Sequence, residues 1–360
     1  VARCQRNRQD YDVPHGEESV KIFVGMSGGV DSSLTAALLK EQGHEVVGVY
    51  MKNWTQDLPG MRCPWAEDLA DAKRVAVQLG IDFRVFDFET EYRDKVVQYM
   101  IDEYKRGHTP NPDIMCNQEV KFTLFLETAL EQGADAIATG HYAATKEGKL
   151  LQAADTNKDQ TYFLYRVSGK ALASTLFPLG EYTKPEVRAM AEERGLYTAG
   201  KKDSQGICFV GQIGIREFLS QYVETKPGDI VDIQSEKIVG KHDGAIFYTL
   251  GQRHGLDVGG GLPYYVVSKD MDKNIVYVTT NLNDESLWQT QLTLASVHWI
   301  NDAPNENQTY QVRIRHRAPL VDCTVRGNTI TLSEAQRAVT PGQSAVMYDG
   351  AICLGGGIVV

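Results

Sequence analysis

A β-branched and apolar run, Val20 to Met26, stops abruptly at Ser27-Gly28-Gly29-Val30-Asp31-Ser32-Ser33, and a helical pattern, Leu34 to Glu41, follows at once. That junction constrains the fold more than any other segment of the chain. A strand delivered straight into a glycine turn and a helix is the opening of a parallel α/β sheet, and it puts the turn at the carboxyl end of the strand, where such sheets bind ligands. The glycines let the backbone approach an anion closely, and the serines add hydroxyl donors at a helix N-terminus. The lysine of G-x-x-x-x-G-K-[ST] is missing, and so is the G-x-G-x-x-G spacing of dinucleotide folds. Gly25, Met26, Ser27, Gly28, Gly29, Val30, Asp31 and Ser32 are therefore predicted to hold phosphates through backbone N–H and hydroxyl groups.

Strand and helix patterns keep alternating. His44 to Lys52 and Ile81 to Phe88 read as strands, and Glu67 to Leu79 as a helix closed by Gly80. A long helix is expected from Tyr92 to about Arg106, then a polar loop His108 to Asn117, a helix Val120 to Glu131 and a strand Ala134 to Thr139. This spacing predicts a doubly wound parallel sheet. The character then shifts. Gly259-Gly260-Gly261 and a hairpin at Asp272-Lys273-Asn274 suggest a small central domain, and from Leu287 short alternating strands suggest an antiparallel barrel. The expected organisation is a tail over 1–19, an α/β domain over 20–214, a mixed α+β domain over 215–285 and a β-barrel over 286–360.

The 360 residues are 42% hydrophobic and 23% charged, an ordinary globular balance, and no 18-residue apolar span predicts a membrane helix. Six cysteines without a C-x-x-C pair argue against zinc ribbons and against a disulfide-rich secreted scaffold. Mostly reduced thiols and a cytoplasmic location are expected. The net charge of −10 argues against indiscriminate binding to nucleic acid or anionic membrane.

The S-G-G-x-D-S-S string in its strand–loop–helix frame resembles the PP-loop of the ATP pyrophosphatase superfamily, whose members cleave ATP between the α- and β-phosphates. Further strings narrow the resemblance: Met51-Lys52-Asn53-Trp54, Thr109 to Asn117 (TPNPDIMCN), Ala138-Thr139-Gly140-His141-Tyr142, Asn157 to Leu164 (NKDQTYFL), Lys202 to Phe209 (KDSQGICF), Thr340 to Ser344 and Cys353 to Gly357. Together they resemble the tRNA-specific 2-thiouridylase family (the MnmA type) from about Val20 to Val360. The resemblance implies ATP-dependent conversion of the wobble uridine 34 of tRNA to 2-thiouridine, with Mg²⁺ on the pyrophosphate near Asp31. It implies Cys208 as persulfide carrier, Cys116 as the thiol that resolves it, and Asp113 as a general acid or base. Met51 and Gly140 would join the phosphate loop in holding ATP. Asn111, Pro112 and Asp113 would surround the target base, and His141, Lys158, Asp159, Gln160, Arg315, His316 and Gln343 would meet tRNA. A cysteine desulfurase or a sulfur-relay protein would supply sulfur. Family members usually carry Arg-Tyr where this chain has Arg315-His316, and imidazole can also stack on bases. Two other readings stay open on the residues: a PP-loop ligase or amidotransferase with bystander cysteines, and a non-catalytic nucleotide- and RNA-binding module.

The chemistry explains the residue types. Uracil C2 is a poor electrophile, so its oxygen must be adenylated before a sulfur nucleophile displaces it. Cys323 and Cys353 lie in strand patterns and read as small buried hydrophobes, and Cys63 carries no motif. Tyr310 to Arg317 alternates with period two, so an extended strand is expected to align Gln311, Arg313, Arg315 and Arg317 on one face, a row that suits either phosphate contacts or a solvated barrel face. Residues 286–360 hold five Arg and five acidic residues, which leaves the whole acid excess before 286.

Overall fold

The structure is a computed structural model that describes residues 19–57, 63–203, 214–256, 258–259 and 262–360. Most of the expected tail, and Cys208, lie outside the described residues.

Five parallel strands form the first sheet: β1 (Lys21–Gly25), β2 (Glu45–Lys52), β3 (Asp82–Asp87), β4 (Ala136–Thr139) and, after the hairpin strands β5 (Ala143–Lys146) and β6 (Lys149–Gln152), β7 (Thr175–Leu176). The order is β3-β2-β1-β4-β7. The chain runs outward from β1 through β2 to β3, then returns to β1's other side at β4, so the order reverses between β1 and β4. The crevice at such a reversal is where open α/β sheets take ligands. Successive residues of β1 serve opposite faces: Phe23 packs into one apolar cluster, Ile22 and Val24 into another. All three are fully buried, each worth about 2 kcal/mol of transferred apolar surface. Helices α1 (Val30–Glu41) and α2 (Trp65–Leu79) supply the cover from Leu39, Ala72 and Val75.

One expected boundary moves. Residues 108–117 are not a loop throughout: a continuous helix runs from 112 to 131, with an i→i+5 winding over Cys116–Leu124. Asn111 caps it by accepting the Asp113 N–H at 3.2 Å, and Pro112 occupies its first turn, the position where a missing N–H and a fixed φ are favourable.

The central sheet has the order β10-β11-β8-β9, from β8 (Gly228–Asp232), β9 (Ile238–His242), β10 (Tyr265–Asp270) and β11 (Ile275–Thr279). The hairpin at 271–274 joins β10 to β11 as expected. The C-terminal strands are β12 (Trp288–Trp299), β13 (Tyr310–Arg313), β14 (Val321–Arg326), β15 (Thr329–Arg337), β16 (Ser344–Asp349) and β17 (Ile352–Val359). They close into an antiparallel six-stranded barrel through pairing of β12 with β17. The sequence did not announce that the hairpin β5–β6, from the α/β segment, extends this sheet by pairing β6 with β17.

The arginine row does not form. β13 ends at Arg313, the chain turns, and Arg317 sits at φ 62°. Arg313 points inward to the Asp159 carboxylate at 3.5 Å, while Arg315 is exposed and donates to the Ala338 carbonyl at 3.3 Å. A period-two pattern describes a strand only as long as the ladder continues, and Pro319 shortly beyond cannot donate to one.

The seam between the α/β unit and the barrel is a shared core. Tyr348 and Cys353 of the barrel pack in the same apolar cluster as Tyr162 and Tyr165. Tyr162 Oη donates to the Ser344 carbonyl at 2.9 Å, and Gln343 Nε2 donates to the Thr109 carbonyl at 2.6 Å.

Candidate active site

A cleft of about 500 Å³ opens at the β1/β4 reversal, walled by the phosphate loop, the end of β2, the helix 112–131 and the segment around Lys158–Phe163. Within the phosphate loop, Gly28 adopts φ 74°, and a Cβ there would overlap the backbone carbonyl of Asp68. Gly140, ending β4, lies so close to the start of α1 that a Cβ would sit 2.8 Å from the Ser32 nitrogen. Ser32 Oγ accepts the Ser27 N–H at 3.1 Å, and no side chain caps α1. The first-turn N–H groups of that twelve-residue helix are thus available to an anion. Met51, at the end of β2, also lines the cleft.

Beside the loop lies an ion network that the sequence did not reveal. Lys184 Nζ donates to both oxygens of Asp31, at 2.7 and 2.8 Å, and Tyr142 Oη donates to the same carboxylate at 2.9 Å. Lys184 also pairs with Asp203 at 2.8 Å, which Lys158 and Arg188 each meet at 2.7 Å. Burial works against the Asp203 charge, yet the bonds from Lys158 and Lys184 hold its carboxyl down at about 2. Burial, together with the Asp31 charge, pushes the Tyr142 phenol far up. Nothing local in the sequence ties Lys184 to Asp31, which is 153 residues away.

The helix 112–131 brings Asp113, Cys116, Asn117 and Lys121 to the opposite wall. Helical winding of the i→i+5 kind recurs at functional sites, and here it spans the cysteine. Cys116 is 4% exposed and Asn117 2%. Asn117 Nδ2 donates to the Phe163 carbonyl at 3.0 Å, and among the described residues its Oδ1 has no partner. Among the described residues nothing donates to the Asp113 carboxylate. Burial raises its pKa, and the Lys121 charge opposes the rise.

Several expected tRNA contacts sit deeper than the sequence reading placed them. His141 is 9% exposed, with its ring between Phe122 and Phe177 and Nδ1 2.8 Å from Thr139 Oγ1. Burial, then the Lys121 charge, keeps the ring neutral. Asp159 is 3% exposed, so a direct contact from its carboxylate to RNA is corrected: it accepts the Ala153 N–H at 3.1 Å, the Thr161 hydroxyl at 2.8 Å and Arg313. Gln343 is half-buried and held to Thr109. Gln160 Oε1 accepts the Tyr142 N–H at 2.8 Å at the cleft edge. His316 packs its ring 4.4 Å from that of Phe163, a cleft residue, and burial with Arg317 and Arg313 nearby lowers its pKa to about 4. Asn111 and Pro112 form the helix cap described above.

A parallel α/β sheet with a glycine–serine loop at its reversal point is the arrangement by which open α/β folds hold a nucleotide's phosphates, and here two β units follow it in the chain. Family models match three consecutive stretches: a tRNA methyl transferase HUP domain over residues 20–212, a tRNA methyl transferase PRC-barrel domain over 216–280 and an aminomethyltransferase beta-barrel domain over 289–359. The tRNA-specific 2-thiouridylase MnmA of Alkaliphilus oremlandii is 47% identical over 355 residues, 95% of this chain and 97% of that protein. Those of Geobacillus kaustophilus (MnmA 2) and Idiomarina loihiensis are each 47% identical over 357 residues, covering 96% and 95% of this chain and 95% and 96% of theirs. The chain belongs to the tRNA-specific 2-thiouridylase family.

Proposed function

We infer that this protein is a tRNA-uridine 2-sulfurtransferase that uses ATP to convert uridine 34 of tRNA to 2-thiouridine. The observation that carries the reading is that one cleft holds both the phosphate loop and, on its facing wall, Asp113 and Cys116. Activation of a carbonyl oxygen and delivery of sulfur to the same carbon need those two sets of groups within one substrate's length.

The steps follow from the residues. ATP lies with its phosphates on the Gly25–Ser32 loop and its base toward Met51, with Gly140 giving room beside Ser32. Asp31 and the substrate phosphates suit Mg²⁺, which takes one or two carboxylates and completes its shell with phosphate and water oxygens; the ion would neutralise charge on the departing pyrophosphate. The raised pKa of Asp113 favours proton acceptance from the target base. The uracil 2-oxygen attacks the α-phosphorus, and pyrophosphate leaves with the bond's electron pair. The terminal sulfur of a Cys208 persulfide then adds at C2 and AMP departs. The Cys116 thiolate attacks the Cys208 sulfur, leaving a disulfide between the two cysteines and the new sulfur on the base. A cysteine desulfurase or sulfur-relay protein reloads Cys208 once the disulfide is reduced.

Asn111 and Pro112 border the base, and Lys158, Gln160, Arg315 and His316 present polar and ring surface to tRNA. His141, Asp159 and Gln343 support that surface from behind. Cys116 works from the first turns of a helix rather than from a loop. The domains are proposed as 20–214, 215–285 and 286–360. The reading places the protein in the cytoplasm; among the described residues no helix is long and apolar enough to cross a membrane.

The test is incubation with ATP, Mg²⁺, tRNA, a cysteine desulfurase and cysteine, read as 2-thiouridine by nucleoside mass spectrometry and as tRNA-dependent pyrophosphate release. Cys208→Ser is expected to release pyrophosphate and make no 2-thiouridine. Thiolation by that variant at the wild-type rate would defeat the persulfide step. Pyrophosphate release with a nitrogen product would favour an amidotransferase, and no release at all a binding module.

A further inference from the structure

The helix 112–131 brings one more charged group to the cleft, and the steps above leave it without a task. Lys121 lines the cleft with Asp113, Cys116 and Asn117, a set drawn from more than two turns of one helix. The four stand at i, i+3, i+4 and i+8, the spacing that puts side chains on one face of a helix. Of the other lysines on the walls, Lys158 pairs with Asp203 at 2.7 Å and Lys201 with Asp68 and Asp71 at 2.8 and 2.7 Å, while Lys202 is exposed to solvent. Among the described residues Lys121 has no carboxylate within ion-pair distance. Its polar neighbour is His141 Nε2, 3.5 Å away. That contact also sets the tautomer. An ammonium donates only, so the Nε2 lone pair must face it, which leaves Nδ1–H to donate to Thr139 Oγ1 at 2.8 Å.

An ammonium held half-buried without a counter-ion is costly unless substrate brings negative charge to it. The chemistry of this cleft generates such charge. When the N3–H bond of uracil breaks, the proton goes to the Asp113 carboxylate and the electron pair spreads onto the 2-oxygen. That oxygen then attacks the α-phosphorus, the bond to the bridging oxygen breaks, and pyrophosphate leaves with its pair. Asp113 and Lys121 act within range of each other, since the Lys121 charge is felt at the Asp113 carboxyl.

We propose that Lys121 is a further catalytic residue of base activation: held by His141, its ammonium hydrogen-bonds the uracil 2-oxygen and stabilises the anion formed as N3 loses its proton to Asp113. This rests on the 2-thiouridylase reading. A preorganised donor of this kind contributes about 10²–10³ in rate.

The experiment measures tRNA-dependent pyrophosphate release by wild type, Lys121→Met and Lys121→Arg, on tRNA carrying either uridine or 5-fluorouridine at position 34. Fluorine makes N3–H more acidic, so it replaces part of the missing stabilisation. With uridine, Lys121→Met is expected to lose about 100-fold in kcat with little change in the KM for tRNA, and Lys121→Arg, which keeps the charge, about tenfold or less. With 5-fluorouridine, Lys121→Met is expected to recover at least about tenfold relative to wild type on the same substrate. A wild-type rate in Lys121→Met, a loss in KM alone (a phosphate contact), or an equal loss on both bases would each overturn the proposal. Should Lys121→Met melt early, the ratio of the two substrates in Lys121→Arg carries the same comparison. No pyrophosphate release by wild type would instead refute the underlying reading.

Discussion

Two aspartates, Asp113 half-buried and Asp159 buried, distinguish the cleft from the seam behind it. Burial raises the pKa of both Asp113 and Asp159. Asp159 is satisfied on every side, by Ala153 N–H, the Thr161 hydroxyl and Arg313, and it ties the Lys158–Gln160 segment to the barrel. Asp113 has no donor among the described residues and faces open space beside Cys116. Burial alone thus does not distinguish a working carboxylate from a structural one; the count of donors already aimed at it does. Their neighbours differ as well: Asn117 Oδ1 at the cleft has no partner among the described residues, while the seam's tyrosines Tyr162 and Tyr348 each have one.

The largest effect that would sharpen this contrast is at the thiol. Cys116→Ser is expected to lower 2-thiouridine formation by roughly 10³-fold or more, because a hydroxyl cannot replace a thiolate in disulfide exchange, while tRNA-dependent pyrophosphate release stays within about twofold of wild type. Next comes the pair of aspartates. Asp113→Asn should cost about 10²–10⁴ in pyrophosphate release with an unchanged melting temperature. Asp159→Ala should do the reverse, destabilising by about 3–5 kcal/mol because Arg313 is left buried without its partner. If Asp159→Ala melts like wild type and Asp113→Asn unfolds, the contrast is the wrong way round. Calorimetry alongside the release assay decides.

A smaller effect concerns pH. Asp203 has a folded pKa depressed to about 2 from 3.8, so its contribution is fully present above the unfolded value and is lost as pH falls through the folded one. Asp113 behaves oppositely, since its raised pKa makes its burial less costly once protonated. Wild type minus Asp203→Asn should therefore show a melting difference that is constant above about pH 5 and shrinks toward about pH 2. A difference that grows on acidification would contradict the Lys158–Asp203–Lys184 network. The smallest effect is at the rim: Arg315→Ala should weaken tRNA binding a few-fold and reduce the log–log salt slope by about 0.9. An unchanged slope would mean that Arg315 meets no phosphate.

The strand–loop–helix opening and the alternation behind it were legible because both are local: β-branched run, glycine turn, helical period. The helix at 112 carried its own signature, Asn111 before Pro112, but the polar Asp113-Ile114-Met115-Cys116-Asn117 run disguised it as a loop. The strand at 310 stops where the ladder does, and no pattern within eight residues reports where a ladder ends. What the sequence withheld was long range. The Lys184–Asp31 pair joins residues 153 apart and the Arg313–Asp159 pair residues 154 apart; neither carries a local mark, and the second inverts the reading of Asp159 from surface contact to internal brace. Cys116 and Asp113 were found through their string, while Lys121, which follows the same string by a few residues, needed the geometry to separate it from a solvated helix face.

The hairpin shared between the two units bears on how the chain is made. β6 finds its partner β17 about 200 residues later, among the most non-local pairings a fold of this size contains. A ribosome therefore releases the nucleotide-binding sheet long before the strand that covers β6 has been translated. Until then β6 presents an open edge, a template for wrong pairing, and Tyr162 lacks the Ser344 carbonyl it donates to. A chain cut short before the barrel strands keeps the phosphate loop yet lacks Arg313 and Ser344, the partners of Asp159 and Tyr162 on the Lys158–Phe163 wall.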